Sequence, residues 1–302
     1  MNPASGSDTS PSVRPGTDAV ALVVVTHNSA AALRPLLDSI GASTLDNLAE
    51  VTVVDNASTD TTVDLLRHRL PPATVITNDT NLGFATAVNQ GVAATSARLV
   101  LLANPDVQWT DGTISKLSRF LADHPSAAAV CPRLVFPDGA PQSSIRRFPT
   151  HLNIWLSRQS PLRFLRHLLP SRFSYTVKDP VSPERVEAVA AAFMLIRRDA
   201  FDAVGGLDEG FFLYVEDTDI CKRWQDRGYE VWIDPTVTVT HDWQGGSGNR
   251  VLLRTYHRRG IRRYFHIHHR SKLVRNAMLD GLLNLADWWD RLRHSNSEGQ
   301  SA

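Results

Sequence analysis

Apolar residues come in blocks along the first hundred positions. AVALVVVT (Ala19–Thr26) is a continuous Val-rich run, the pattern of a strand buried on both faces. Asn28-Ser29 can cap the next segment, where Leu33, Leu36, Leu37 and Ile40 fall at helical spacing. Pro35 is tolerable there only near the first turns. VTVVD (Val51–Asp55) predicts a second strand, Asp60 can cap a helix carrying Val63, Leu66 and Leu70, and ATVITN (Ala73–Asn78) predicts a third strand. Phe84, Ala87, Val88 and Val92 mark another helix, and RLVLLAN (Arg98–Asn104) a fourth strand. Strand and helix alternating at this pitch predict an α/β fold with a doubly wound, mainly parallel sheet and right-handed crossovers.

In such sheets, ligands bind outside the carboxyl ends of the strands. Thr26-His27-Asn28, Asp55-Asn56, Asn81-Leu82-Gly83 and Asn104-Pro105-Asp106 all lie at or beyond a strand end, so four polar clusters converge on one rim. Pro105 stops the fourth strand, because it cannot donate to a ladder, and holds Asp106 just past its end.

The second half is less regular. Residues 138–185 hold scattered Pro, Arg and Ser and read as a partly ordered connection that covers the site. AVAAAFMLIRRDAF (Ala188–Phe201) reads as a buried strand, Gly205-Gly206 as a turn, and EVWIDPTVTVTHDW as a strand ending at His241. The Gly245-Gly246-Ser247-Gly248 run reads as flexible. From Arg250 to Arg275 nine Arg and Lys residues occur with no Asp or Glu, interleaved with Tyr256, Tyr264, Phe265 and histidines. In the segment that follows, Leu282, Leu285, Trp288 and Trp289 predict an apolar helical face.

Composition narrows this little. The chain has 302 residues, 42% hydrophobic and 21% charged, with a net charge of +1. That suits one large α/β domain with an appendage. Cys131 and Cys221 form no metal or disulfide framework and read as buried or free thiols. Residues 1–18 lack the apolar core of a signal peptide and read as a tail, as do residues 295–302. No run reaches the roughly 18 apolar residues of a membrane span. No GxGxxG follows the first strand and no GxxxxGK[ST] occurs, which disfavours a dinucleotide site and a P-loop.

Candidate chemistry gathers at two places. Asp106 and His241 both end apolar strands, and a carboxylate with an imidazole suits Mn2+ or Mg2+ held largely by phosphate oxygens. Standing alone, each has a plainer explanation, a helix cap for Asp106 and a solvated strand end for His241. Glu216, Asp217 and Asp219 crowd beside FFLY, where clustered carboxylates raise one another's pKa. The plainer account is an acidic helix start with an Asp219–Arg223 surface pair. The basic stretch fits an anionic membrane surface, a packing arm with a solvated face, or nucleic acid, the last being the least expected.

The order and spacing of VVVTHN, VVDNASTD, NLGFATAVN, LLANPDV, GGLDEGFFLYVEDTDICKRW and His241 resemble the inverting family 2 glycosyltransferases of the GT-A fold. Within that family, ANPDVQW and VEDTDI look most like bacterial cell-wall and polysaccharide rhamnosyltransferases. The resemblance implies a nucleotide-sugar half at residues 19–110, an acceptor and catalytic half at 111–249, and a basic helical arm at 250–294. It implies that Thr26, Asn28, Asp55, Asn56, Asn81, Gly83 and Asn104 bind the nucleotide-sugar, with Asp55 accepting from a pyrimidine N3–H. Asn104-Pro105-Asp106 stands where the family has D-x-D, but with Asn first. Asp106 and His241 would then hold Mn2+ or Mg2+, Asp217 would be the base, and Glu216 would assist it. The implied donor is dTDP-rhamnose, with a UDP-hexose or UDP-galactofuranose as the alternative. The implied acceptor is a polyprenyl-diphosphate-linked or glycan acceptor at the cytoplasmic face of the cell membrane. A catalytically silent, membrane-docked nucleotide-binding module is the rival from another class.

Overall fold

The computed structural model describes residues 18–70, 72–157, 160, 164, 174–243 and 250–298, without the side chains of 250 and 291–298. Nearly all of the expected N-terminal tail, residues 299–302 of the expected C-terminal tail and the Gly245–Gly248 run fall outside the described residues.

The chain begins β1 (Val20–Thr26), α1 (Leu33–Ala42), β2 (Leu48–Asn56), α2 (Thr62–Arg69), β3 (Thr74–Asn78), α3 (Phe84–Ala93) and β4 (Leu99–Ala103). These are the seven expected elements. Then come β5 (Val107–Gln108), α4 (Thr113–Asp123), β6 (Ala127–Val135), β7 (Pro141–Gln142), β8 (Ile145–Arg146) and α5 (His151–Trp155). The second half continues with β9 (Glu184–Arg185), β10 (Ala188–Val189), β11 (Phe193–Arg197), α6 (Arg198–Ala203), α7 (Glu216–Asp226) and β12 (Glu230–His241). Two long helices, α8 (Arg250–His268) and α9 (Leu273–Glu298), close the described chain. The last helix runs past the boundary expected at 294, since no Pro or Gly stops it before Gly299.

One sheet runs through both halves in the order β3-β2-β1-β4-β11-β6-β12-β5. β2, β1, β4 and β3 are mutually parallel, and β6 is parallel to β12. β1 lies between β2 and β4 with helices on both faces, so its side chains are buried on either side, as the unbroken Val run requires. α3 packs on this centre through Gly91, whose missing Cβ would stand 2.4 Å from a Val23 methyl.

The expected strand over Ala188–Phe201 is three things instead. β10 pairs with β8, the chain turns at Ala191-Ala192, and β11 enters the main sheet antiparallel between β4 and β6 before α6 begins. Continuous apolarity conceals that break, because the turn itself is built of buried alanines.

β12 carries the site. Its pairing with β6 shifts register between Asp234 and Thr238, around Pro235, which cannot donate to the ladder. It then reaches far enough to pair His241 opposite Val107 of β5, and the Asp242 N–H donates to the Asp106 carbonyl at 3.0 Å. Two strand ends 135 positions apart in the chain are thereby locked side by side.

α8 and α9 pack against each other, α5 and the segment that leads into α7 rather than standing off the domain. Phe211 and Val215 share a core with Ile261, Tyr264, Phe265 and Leu279. The expected single apolar face of α9 divides in two. Leu279, Leu283 and Ala286 are buried and Leu282 half-buried, whereas Leu285, Trp288 and Trp289 are exposed. The helix has two apolar sides and buries one.

Gly91→Ala tests the α3–β1 contact. In an open helix the change stabilises by about 1 kcal/mol. Here overpacking against Val23 should reverse the sign and cost about 1–3 kcal/mol, read as a lower urea midpoint at unchanged m-value.

Candidate functional site

A cleft of about 1270 Å³ opens beyond the carboxyl ends of β4 and β12. Asn104, Glu216, Asp217 and His241 line it, and Asp106 stands behind His241. Of the expected residues, these five come together. The other six form a second group along the neighbouring strand ends.

In that second group the side chains hold loops. Asp55 is buried; its Oδ1 accepts from the Thr26 hydroxyl at 2.8 Å and from Ser58 Oγ at 2.5 Å, and its Oδ2 accepts from the Ser58 N–H at 2.9 Å. Asn28 has φ 50° and accepts the Thr59 N–H at 2.8 Å, tying the end of β1 to the end of β2. Asn56 donates to the Gly83 carbonyl at 3.0 Å, and Asn81 accepts the Gly83 N–H at 3.0 Å. Gly83 has φ 87° and lies against the Phe212 backbone, where a Cβ would come within 2.6 Å of the Phe212 carbonyl. The Phe84 N–H donates to that carbonyl at 2.7 Å. The first half thus grips the loop that precedes the acidic helix.

The Asp106–His241 pair is set by a residue that the sequence pattern did not single out. His241 Nδ1 lies 2.5 Å from Gln142 Oε1, and Gln142 Nε2 faces the His241 carbonyl at 3.4 Å. An amide oxygen only accepts, so Nδ1 carries the proton and Nε2 presents its lone pair. That nitrogen stands 3.2 Å from Asp106 Oδ1, a buried oxygen with no hydrogen-bond donor among the described residues, and 3.3 Å from Asn104 Nδ2. Two acceptors facing each other suit a shared cation, and a carboxylate with a neutral imidazole fits Mn2+ or Mg2+. Gln142 is then the outer hydrogen bond that orients a ligating histidine. No cluster of three or more His, Cys, Asp or Glu side chains capable of holding a metal occurs among the described residues. Further ligands must come from the nucleotide or water.

The acids of α7 differ although they share one turn. Tyr214 and Val215 precede it with φ of 72° and 76°, the latter unusual for a β-branched residue. Asp219 is fully buried, accepting from Arg223 Nε at 2.8 Å and facing His268 Nε2 at 2.7 Å. It is a structural anchor joining α7 to α8, not half of a surface pair. Glu216 is buried with Oε2 unpartnered among the described residues. Burial, and then the neighbouring Asp217 carboxylate, push its carboxyl well above the usual carboxylate range. Burial also raises Asp217, opposed first by the Arg146 guanidinium and then by the Thr218 N–H 2.6 Å from its Oδ1. Arg146 and the Thr218 N–H act on Asp217, whereas Asp217 itself pushes Glu216 further up, so a charge on this pair is favoured at Asp217.

Residues 21–205 match the model of the glycosyl transferase family 2. The chain belongs to that family. An N-acetylglucosaminyl-diphospho-decaprenol L-rhamnosyltransferase of Mycobacterium tuberculosis is 30% identical over 243 residues, covering 77% of this chain and 78% of its own. The O-antigen biosynthesis protein RfbC of Myxococcus xanthus is 27% identical over 75% of this chain but only 17% of its own length. Among solved structures, the mannosyltransferase PcManGT from Pyrobaculum calidifontis, in complex with GDP-Man and Mn2+, superposes with a TM-score of 0.58. It is 18% identical over 94% of this chain and 76% of its own. GalNAc-T7 with UDP, GalNAc and Mn2+ also gives 0.58, at 17% identity over 84% of this chain and 48% of its own. Both show a common GT-A-type fold.

The cleft of this family 2 glycosyltransferase is lined by His241, with Asp106 behind it, and by the Asp217 carboxyl. Arg146, Tyr175 and His257 also line it, and none stood out in the sequence. They lie in an irregular segment and in the basic stretch, where nothing in the period distinguishes them. Burial and Asp217 push the Tyr175 phenol up to about 12, so it is a neutral donor. Burial, with Arg146 and Arg258 nearby, lowers His257 to about 4.

The raised Glu216 carboxyl makes stability pH-dependent. A carboxyl whose folded pKa exceeds its unfolded one takes up a proton on folding, so its contribution is lost as pH rises above the usual carboxylate range. Glu216→Gln mimics the protonated form. It should raise the melting temperature more at pH 8 than at pH 5; equal shifts at both would mean that Glu216 is ionised throughout.

Proposed function

We propose that this glycosyltransferase is inverting, takes L-rhamnose from dTDP-rhamnose, and passes it to a lipid-diphosphate-linked or cell-wall glycan acceptor at the inner membrane surface. The observation that carries this reading is the cleft lined by both His241, with Asp106 3.2 Å behind it, and the Asp217 carboxyl. The mycobacterial relative, named for rhamnosyl transfer to a lipid-diphosphate-linked N-acetylglucosamine, supports the choice of donor and acceptor.

The acceptor hydroxyl attacks the anomeric carbon from the face opposite the leaving nucleoside diphosphate. The carbon–oxygen bond to phosphate breaks with its electron pair, and the hydroxyl proton passes to Asp217. A divalent cation held by Asp106 and His241 would offset charge on the leaving diphosphate. Glu216 stays protonated and keeps a second negative charge away from the base. The rim of Thr26, Asn28, Asp55, Asn56, Asn81 and Gly83 receives the nucleotide, with Asp55 Oδ2 retaining a lone pair for a pyrimidine N3–H.

The arm seats the enzyme on the membrane. Among the described residues no helix is long and apolar enough to cross a membrane. Instead α9 exposes Val274, Met278, Leu285, Trp288 and Trp289 at helical spacing, each more than half exposed. Exposed Arg270, Lys272 and Arg275 flank its start, with no carboxylate partner among the described residues. An apolar stripe edged by cations suits an anionic bilayer.

Calorimetry with dTDP and with UDP, each with and without Mn2+, tests the core of this reading. Tighter binding of dTDP, dependent on metal and lost in Asp106→Asn, is expected; tighter UDP binding would replace the donor. Asp217→Asn should keep nucleotide affinity and lose about 100- to 10,000-fold in turnover. Full turnover in that variant removes Asp217 as the base. For the membrane, Trp288→Ala with Trp289→Ala should reduce sedimentation with vesicles of anionic phospholipid. Unchanged sedimentation would dismiss the stripe as the docking face.

A further inference from the structure

The cleft contains a cation that the proposed reaction leaves unused. Arg146, on β8 of the small two-stranded sheet, donates through Nη1 to the carbonyls of Ser143 and Ile145, at 2.8 and 3.0 Å. Its Nε and Nη2 have no acceptor, and the group has no carboxylate ion-pair partner, among the described residues. It nevertheless lies close enough to act electrostatically on Asp217, Tyr175, Asp179 and His257. The other arginines of this wall are committed: Arg254 pairs with Asp290, and Arg258 with Asp287 and Asp290. Arg146 therefore offers a planar, uncommitted guanidinium edge beside the base, the geometry that grips phosphate oxygens.

The same cleft has an apolar wall. Leu156, beyond α5, joins Ile261 of α8 and Leu282, Leu283 and Ala286 of α9. Donor sugars and nucleotides have no use for such a wall. α9 shows Leu282, Leu283 and Ala286 to the cleft and Leu285, Trp288 and Trp289 to the outside, so one helix borders both the reacting centre and the proposed membrane face.

We infer that Arg146 and the α5–α8–α9 wall form an acceptor subsite for a diphosphate carried on a hydrocarbon chain. Arg146 binds the diphosphate and the wall takes the first part of the chain. The subsite is separate from the Asp106–His241 pair, which serves the donor diphosphate. This inference rests on the glycosyltransferase reading for its place beside Asp217, but its chemistry can be tested without turnover.

Farnesyl diphosphate is the probe, titrated into the full chain already saturated with dTDP or UDP and Mn2+, with pyrophosphate and farnesol as head-only and tail-only arms. Farnesyl diphosphate should bind, and more tightly than either fragment. Arg146→Ala and Arg146→Gln should weaken it about 10- to 100-fold, with nucleotide affinity within twofold of wild type. Leu283→Asn should weaken farnesyl diphosphate and leave pyrophosphate unchanged. The subsite is overturned if the probe fails to bind wild type, or if both Arg146 variants keep its affinity. It is also overturned if those variants lose nucleotide instead, which would give Arg146 to the donor. If neither nucleotide binds wild type while farnesyl diphosphate binds through Arg146, the donor reading fails and the subsite stands.

Discussion

The site depends on a left-handed corner at Tyr214-Val215. Each residue there costs on the order of 1–3 kcal/mol in backbone strain, so the corner persists only where its surroundings hold it. They do so from two sides. Gly83 and Phe84 press on the Phe212 carbonyl, and Gly260 of α8 lies against Tyr214, where a Cβ would come within 2.6 Å of its carbonyl oxygen. Both approaches exist because a glycine stands at the point of contact. The corner fixes where α7 begins, and ordinary helical spacing then gives its three acids three environments: Glu216 buried, Asp217 lining the cleft, Asp219 locked between Arg223 and His268.

The parallel half was legible because β1 and β4 are buried on both faces, and that burial writes itself as unbroken apolar runs. The strand-end rule then points from the sequence to Asp106 and His241, which the fold places side by side. The second half resisted for a different reason. β5, β7, β8, β9 and β10 have two residues each, too few to carry a period. Gln142 and Arg146 sit on two of these, and Gln142 meets His241 across 99 positions. The register shift around Pro235, which takes extra residues of β12 out of its pairing with β6, sets which β12 residue arrives beside Gln142. The same limit hid the turn at Ala191-Ala192, where small apolar residues continue the pattern of the strand they interrupt. On α9 the apolar spacing was correct and its partition into inner and outer faces was invisible, because both faces are apolar.

Electrostatics along the chain and in space differ sharply in the arm. Read linearly, Arg250–Arg275 is unopposed. Folded, α9 returns Asp280, Asp287 and Asp290 to Arg262, Arg258 and Arg254, while Asp208 and Asp219 take Arg263 and His268. Exposed pairs of this kind contribute about 0–1 kcal/mol each. His268 against buried Asp219 and Arg258 are the exceptions, the latter with a side chain only 3% exposed between two carboxylates. Removing one partner of such a buried pair costs about 3–5 kcal/mol. Arg254, Arg258 and Arg262 therefore join α8 to α9, Arg263 joins α8 to Asp208, and among the described residues the unpaired basic charge narrows to Arg259, Arg270, Lys272 and Arg275.

The asparagine at position 104 follows from the same accounting of charge. Asp106 Oδ1 and the His241 lone pair already face each other at 3.2 Å, and a second carboxylate beside them would add repulsion in a buried site. Asn104 instead directs an amide N–H toward His241 Nε2 at 3.3 Å, placing partial positive charge between two acceptors. The cleft thus balances around few charges: Asp106 facing His241, Asp217 acted on by Arg146, and Glu216 with its carboxyl pushed up by burial. A carboxylate at 104 would upset the first of these balances without touching the second, because Arg146 acts on Asp217 from β8, on the acceptor side of the cleft.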